Sequence, residues 1–227
     1  MIINDLQKIH QIIINLWFKY YPIILKLFNT NNDLPLYLLS NWQHSSKTKY
    51  DDMIKDTLNK INPPLRSNES IFEIGCGYGA CLKFISDNYK GIKIAGSDYS
   101  KNAIDSIQQT FPKGQFYLQN MIQKHPIPDN NFDIVISIGA VAMYLYKPEI
   151  IITIKELVRL TKPGGSIIIT HFTEKDGLLK QKSIIEKIEK EFILEYQDYW
   201  GIENIIFFDM KDNIDRYGFS CNKKNIL

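Results

Sequence analysis

Three closely spaced glycines form the segment of this sequence with the clearest chemical meaning. The run Gly75-Cys-Gly-Tyr-Gly79 follows an apolar stretch, Ser70 to Ile74, and precedes a segment of helical character that starts near Ala80. Glycine lets a backbone turn sharply and approach a ligand, and the N–H groups at the start of a helix favour a negative group. The loop is therefore predicted to bind a carboxylate or a phosphate.

Two classes of ligand are compatible with this loop by itself. Gly75, Gly77 and Ala80 fit the G-x-G-x-x-G/A pattern of dinucleotide-binding proteins. Asp98 follows Gly77 by 21 residues, where such proteins carry a ribose-binding acid. The loop alone therefore does not separate a nicotinamide-dependent oxidoreductase from a protein that binds a different cofactor.

Four segments, taken together and in order, separate these alternatives. They are Phe-Glu-Ile-Gly-Cys-Gly-Tyr-Gly at 72–79, Ala-Gly-Ser-Asp-Tyr-Ser at 95–100, Asn-Phe-Asp-Ile-Val-Ile-Ser at 131–137 and Leu-Thr-Lys-Pro-Gly-Gly at 160–165. This set resembles the motifs of class I S-adenosylmethionine-dependent methyltransferases, especially those acting on small molecules. The acid Glu73 before the glycines is common in that family and unusual in dinucleotide folds. The chain is thus identified as a member of that family.

The resemblance implies S-adenosylmethionine as cofactor and assigns residues to its pocket. The glycine loop would cradle the methionine end, Asp98 would accept both ribose hydroxyls, and Tyr99 would pack on adenine. Many members have Gly-Asp after the third strand, where this chain has Gln-Asn-Met at 119–121; Asn120 can replace the Asp through its amide oxygen. The predicted cofactor-binding residues are Glu73, Gly75, Cys76, Gly77, Gly79, Asp98, Tyr99, Asn120, Met121 and Ser137.

Two side chains are candidate catalytic residues, because strands four and five border the acceptor side of the pocket in this family. His171, one residue past the expected end of strand five, could act as a general base or could make only a strand-end hydrogen bond. Tyr144 lies where related enzymes often have His or Tyr, and either bonds the acceptor or packs. Thr170 is interpreted as pocket wall or core. His125 shows no partner at catalytic spacing.

The pattern from residue 65 onward predicts an α/β domain. Predicted strands cover 70–74, 92–97, 116–118, 132–137 and 166–170, and predicted helices cover 80–88, 101–110 and 148–160. This alternation predicts βαβ units with right-handed crossovers, and hence a doubly wound sheet with helices on both faces. The resemblance implies a mostly parallel, seven-stranded sheet. Its final strand is expected to be short, rearranged or supplied earlier, around Phe192 to Tyr199.

Residues 1–64 are predicted to form an N-terminal helical elaboration, with the methyltransferase core at 65–227. Amphipathic helices are predicted within 2–28 and at 50–61, where two prolines end the second. Trp42 and Tyr50 are predicted lid residues, since the segment around Trp42 is similar to one that closes the site in small-molecule methyltransferases; a tryptophan there also fits a core position. Such a cover would exclude water and favour a small or flexible acceptor.

Composition narrows the class and the partners. With 44% apolar and 23% charged residues, the 227-residue chain has the composition of a globular protein. A net charge of +2, with lysines spread along the chain, disfavours a nucleic-acid partner. Three cysteines without metal-ligand spacing, and no signal-like start, predict a cytoplasmic protein without a metal site. Charges and a proline interrupt the apolar stretch at 11–28, so no membrane span is predicted. Monomer and homodimer both stay open.

The predicted activity is transfer of a methyl group, by in-line displacement, to an oxygen, nitrogen or sulfur nucleophile of a small molecule. A protein or nucleic-acid methyltransferase is the alternative within the same fold. Against it, Ser-Ile-Gly-Ala at 137–140 stands where amino-methylating enzymes often carry Asn-Pro-Pro-Tyr or Asp-Pro-Pro-Tyr. A cofactor-binding module without catalysis and a nicotinamide-dependent oxidoreductase are the alternatives from other classes.

Overall fold

The computed structural model describes residues 47–141, 147–172, 190, 193–210 and 216–225. Within these ranges strands and helices alternate as the sequence predicts. The helices are α1 (Lys47–Leu58), α2 (Ala80–Asn88), α3 (Lys101–Thr110) and α4 (Lys147–Leu160). The strands are β1 (Ser70–Ile74), β2 (Lys93–Asp98), β3 (Gln115–Leu118), β4 (Phe132–Ile138), β5 (Thr161–Phe172), β6 (Ile202–Met210) and β7 (Arg216–Lys223). Residues 193–200 are also helical.

The described strands form one seven-stranded sheet in the order β3-β2-β1-β4-β5-β7-β6. Neighbouring strands from β3 to β5 run parallel, and β7 runs antiparallel to both β5 and β6. This confirms the predicted mostly parallel α/β sheet. From β1, the next strands β2 and β3 are added on one side of the sheet, and β4 and β5 on the other. In open α/β sheets, ligands bind beyond the carboxyl ends of the strands where the order of strands reverses in this way.

The end of the sheet differs from the sequence-based expectation. Residues 193–200, where an early final strand was expected, are helical, and β6 and β7 instead form a long antiparallel pair. Ile193 and Trp200 are buried in one core cluster. Tyr196, which lies between them in the sequence, packs against the same cluster. This spacing of three and four residues is the period of a helix, not of a strand. The Trp200 Nε1–H also donates to the Ile151 carbonyl of α4, at 3.2 Å.

Both faces of the sheet are covered, which confirms the doubly wound arrangement. On one face, Ile71, Ile136 and Ile168 pack in a cluster with the α2 and α3 residues Leu82 and Ile107. The α1 helix joins that same cluster through Ile54 and Leu58. On the other face, Phe72, Val135 and Ile167 pack with the α4 residue Leu157. Parallel strands that are covered on both faces have nearly continuous apolar sequences.

The Phe-Asp and Lys-Pro-Gly-Gly motifs meet at the amino ends of the strands, opposite the expected ligand site. Asp133 accepts hydrogen bonds from the Ser70 N–H at 2.8 Å and hydroxyl at 2.6 Å, and from Lys162 Nζ at 2.7 Å. Burial alone would raise the pKa of Asp133, but these bonds outweigh it and lower the pKa. The β5 strand begins earlier than predicted because Thr161 already pairs with Phe132, with an irregularity before Ser166 pairs with Ile134. These motifs therefore stabilise the sheet.

No helix in the described ranges has the length and apolar character needed to cross a membrane.

Candidate cofactor site at the carboxyl ends of the strands

The loop between β1 and α2 has the backbone conformation that its glycines predict. Gly75, Gly77 and Gly79 all have positive φ angles, of 72°, 50° and 79°. A Cβ on Gly79 would lie 2.7 Å from Ile107 Cγ1 and closer still to its Cδ1, so helix packing excludes a side chain there. A Cβ on Gly77 would meet no atom within 4 Å. The backbone at Gly77 is therefore open to a closely approaching ligand.

The loop is held against the end of β2 by backbone hydrogen bonds. The N–H groups of Gly75 and Cys76 both donate to the Ser97 carbonyl, at 2.8 and 3.0 Å. The Gly77 N–H donates to Asp98 Oδ2 at 2.8 Å, and the Ser100 N–H donates to Asp98 Oδ1 at 2.8 Å. A carboxylate has about four acceptor positions. These bonds fix Asp98 beside the open glycine without using all of its capacity as an acceptor.

A buried carboxyl group, Glu73, and a partly buried one, Asp98, lie near each other at this edge of the sheet. Burial raises the pKa of Asp98, partly offset by the N–H groups of Ser100, Gly77 and Tyr99. Glu73 is 3% exposed, and its Oε2 has no hydrogen-bond partner among the described residues. Burial raises the pKa of Glu73 well above its ordinary value, and the charge of Asp98 raises it further. The site thus favours a ligand that brings hydrogen-bond donors or positive charge.

The remaining predicted cofactor residues lie at or next to this same edge. Tyr99 follows Asp98 and is partly exposed. The Cε of Met121 is 3.8 Å from the position a Cβ on Gly75 would take, which places Met121 against the loop. Asn120 Oδ1 accepts the Ile122 N–H at 3.1 Å, so one of its lone pairs is used within its own turn and the other is left.

Two predicted residues are buried within the fold at this edge. The Ser137 side chain is fully buried near the end of β4, and its Oγ has no partner among the described residues. The Cys76 side chain is buried in the cluster beneath α2 and α3 and packs against Gly96. Burial raises the pKa of the Cys76 thiol well above its ordinary value, and the charges of Asp98 and Glu73 raise it further. The thiol is therefore protonated and part of the core.

The predicted acceptor-side residues are described only in part. Trp42 and Tyr144 lie outside the described residues. Tyr50 lies in α1, and His171 lies in β5 with Tyr217 of β7 as its pairing partner, but neither side chain is described. Their assigned roles therefore stay predictions. Thr170 is fully buried, its carbonyl accepts the Gly139 N–H at 2.8 Å, and its Oγ1 has no partner in the described part of the chain.

His125 has partners that the sequence does not reveal. Its Nε2 lies 2.8 Å from Ser97 Oγ, and its Nδ1 lies 3.0 Å from Glu156 Oε1. Arg159 in turn binds both carboxylate oxygens of Glu156, each at 2.7 Å. The spacing of Glu156 and Arg159 within one helix indicates their pairing, but only the fold brings His125 to them. Over the described ranges, no cluster of three His, Cys, Asp or Glu side chains arranged to hold a metal ion is found.

Comparison with known proteins agrees with this geometry. Residues 71–165 match a family model described as a methyltransferase domain. An uncharacterized methyltransferase, YdaC of Bacillus subtilis, is 29% identical over 115 residues, which cover 50% of this chain and 61% of that protein. The fatty-acid O-methyltransferase of Mycolicibacterium smegmatis is 26% identical over 101 residues, 44% of this chain and 36% of that protein. The chain thus matches less than two thirds of either relative's length. Other matched relatives are named for tRNA or sterol substrates.

Solved structures show the same fold at low sequence identity. A putative sarcosine dimethylglycine methyltransferase from Galdieria sulphuraria superposes with a TM-score of 0.60 at 14% identity, covering 79% of this chain and 87% of that one. The sheet order defines a doubly wound fold, and the open glycine loop lies at one edge of it with the acids Glu73 and Asp98. With the methyltransferase domain matched at residues 71–165, these features support a class I S-adenosylmethionine-dependent methyltransferase.

The described residues fit the cofactor of that family. S-adenosylmethionine carries a sulfonium and an ammonium group, which suit a site with one buried and one partly buried carboxyl group. Glu73 Oε2 has no partner among the described residues, and Asp98 keeps acceptor capacity beside Gly77, so both could accept hydrogen bonds from such a cofactor. The start of α2 has no side-chain cap, so its N–H groups can receive the carboxylate.

Proposed function

We propose that this chain transfers a methyl group from S-adenosylmethionine to an oxygen, nitrogen or sulfur nucleophile of a small molecule, by in-line displacement. The observation that carries the proposal is the open Gly77 backbone, whose N–H holds the Asp98 carboxylate beside it. When bound, the cofactor supplies a methyl group on a sulfonium already activated for displacement. The residues of the chain then contribute mainly by positioning the two reactants.

The cofactor would be held along the carboxyl ends of β1 and β2. Gly75 to Gly79 would receive the methionine end, and Asp98 would bind the ribose. Tyr99 and Met121 would flank the adenine, and Asn120 would accept from its amino group through its remaining lone pair. These roles come from the family resemblance, and the contacts described above support them because all of these residues lie at or next to one edge of the sheet.

A polar acceptor is supported by buried hydroxyl groups near the ends of β4 and β5. Ser137 Oγ and Thr170 Oγ1 have no hydrogen-bond partner among the described residues, although both side chains are fully buried. A buried polar group without a partner costs about 1–3 kcal/mol. A polar group of the acceptor that reached Thr170 would satisfy its hydroxyl.

The acceptor side would be completed by residues whose side chains the structure does not describe. His171 would act as a base if the acceptor must lose a proton, and Tyr144 would bond the acceptor. Trp42 and Tyr50, in an N-terminal elaboration that ends at residue 64, would close the site. Three buried free cysteines, of which Cys221 lies in β7, support a reducing compartment such as the cytoplasm.

The proposal is tested by methyl transfer from S-adenosylmethionine that is radiolabelled on its methyl group. Purified protein is incubated with panels of small carboxylates, amines, phenols and thiols, and in parallel with bulk tRNA and with protein. Transfer to one small-molecule class, lost in Asp98→Ala and kept in Asp105→Ala, is the expected result. Asp105 is the matched control because its carboxylate is exposed on α3 and pairs with Lys101.

A macromolecular acceptor is the second candidate, favoured by the matched relatives that are named for tRNA substrates. Transfer to tRNA or protein, with none to the small molecules, would replace the proposed acceptor class. Cofactor binding without transfer to any acceptor would favour a binding module.

A further inference from the structure

Hydrogen bonds through Ser97 and His125 connect the glycine loop to Glu156 of α4. The central residue is Ser97, which is 1% exposed near the end of β2. The Ser97 carbonyl accepts the Gly75 and Cys76 N–H groups, and its hydroxyl lies 2.8 Å from His125 Nε2. Ser97 also directly precedes Asp98. One residue therefore links the loop, the cofactor acid and a buried histidine.

The histidine is itself fixed on its opposite side. His125 Nδ1 and its backbone N–H both contact Glu156 Oε1, at 3.0 and 2.7 Å. Burial would raise the pKa of Glu156, but bonds from Arg159 and His125 outweigh it and lower the pKa to about 2. Because the carboxylate is charged and only accepts, Nδ1 donates to it. In a neutral imidazole, Nε2 then accepts the proton of the Ser97 hydroxyl.

The same order of serine, histidine and acid occurs in nucleophilic triads. Here it is closed to substrates, since Ser97 and His125 are each 1% exposed. The ring of Phe72 also packs edge to face with the imidazole, with ring centroids 5.6 Å apart. A nucleophile needs an open side for attack, whereas a positioning residue needs only fixed partners at both ends. The geometry fits the second role.

We propose that His125 is a positioning residue, which fixes Ser97 and through it holds the glycine loop and Asp98 in the geometry that binds the cofactor. The loop itself offers few side chains for packing, because three of its five residues are glycines. Beside the buried Cys76 and the Gly77 bond to Asp98, the two N–H bonds to the Ser97 carbonyl are therefore a main constraint on its position. The cofactor-related part of this inference rests on the proposed function, and the part about loop geometry does not.

The test uses Ser97→Ala, His125→Leu and the variant that combines these two changes. Ser220→Ala is the matched control, because Ser220 is also a buried strand serine, in β7. Amide hydrogen exchange is measured first, without cofactor. We expect exchange of the Gly75 and Cys76 amides to be about tenfold faster in Ser97→Ala and His125→Leu, and unchanged in the control. A general loss of stability would instead speed exchange across the sheet.

Cofactor binding by calorimetry is the second readout. The dissociation constant of S-adenosylmethionine should rise about tenfold in each single variant, and no further in the double variant, because both changes break the same connection. Unchanged exchange of the loop amides in folded Ser97→Ala overturns the proposal, whether or not His125→Leu folds. If the wild type binds no S-adenosylmethionine, the proposed function fails, and the exchange measurement still decides the role of His125.

Discussion

The two glycines Gly77 and Gly79 allow a matched test of the loop, because both have positive φ but differ in surroundings. An alanine in the left-handed region costs about 1–2 kcal/mol, and this applies to both. At Gly79 the new Cβ would also lie 2.7 Å from Ile107 Cγ1, in a fully buried contact. Overpacking typically adds about 1–3 kcal/mol. Gly79→Ala should thus destabilise the fold by about 2–5 kcal/mol and Gly77→Ala by only about 1–2 kcal/mol.

Urea denaturation followed by circular dichroism measures this difference. Cofactor affinity should show the opposite order, since the Cβ at Gly77 would occupy the space left open for the ligand. Ile107→Val removes the atom nearest to the new methyl group and should cost less stability in the Gly79→Ala background than in the wild type. Equal destabilisation by the two glycine variants, or a weaker cofactor effect at Gly77 than at Gly79, would refute the assigned geometry.

Three other changes test separate parts of the account. Asp98→Ala should weaken S-adenosylmethionine binding by about 10- to 100-fold, because the ribose loses a charged acceptor; Asp105→Ala should leave the calorimetric affinity unchanged. The folded-state pKa of Glu156 is lowered from 4.5 to about 2, so its contribution to stability is complete above pH 4.5 and disappears as the pH falls toward 2. The difference in unfolding free energy between wild type and Glu156→Gln, measured by urea titration, should therefore narrow over that pH range. A constant difference would contradict this account. Trp200→Ala should lower the free energy of unfolding by about 3–5 kcal/mol, whereas Leu194→Ala, at an exposed position of the same helical segment, should change it by less than about 0.5 kcal/mol.

The central part of the fold could be predicted because its signals are local. The bounds of β1, α2 and α3 match the predicted ones. For β1 and α2 the reason is that a strand, a glycine loop and a helix follow one another within residues 70–88. The acid at the end of β2 could be identified by its spacing from the loop. Short-range pattern thus sufficed for the cofactor edge of the sheet.

The closing strands could not be predicted as well, because isoleucine and aromatic residues occupy helices and strands alike in this chain. Ile150 to Ile152 are helical in α4, whereas Ile167 to Ile169 form the middle of β5. Only the burial of Ile193 and Trp200 shows that their segment has a helical period. A composition rich in β-branched residues therefore hides the difference between a helix and a strand.

The hydrogen bonds of His125 could not be predicted for a different reason. His125 precedes Glu156 by 31 residues and follows Ser97 by 28. Such contacts arise only when β2, α4 and the segment before β4 are brought together by the sheet. Spacing along the chain indicates a helix pair such as Glu156 and Arg159, but not a partner from another element.

A calorimetric titration of the purified chain with S-adenosylmethionine, with NAD titrated in parallel, tests the central claim most directly. The acids Glu73 and Asp98 near the open Gly77 predict saturable one-site binding of S-adenosylmethionine at micromolar concentration and no binding of NAD. Binding of NAD without S-adenosylmethionine, or of neither, would contradict the assignment of this edge of the sheet as a methyl-donor site.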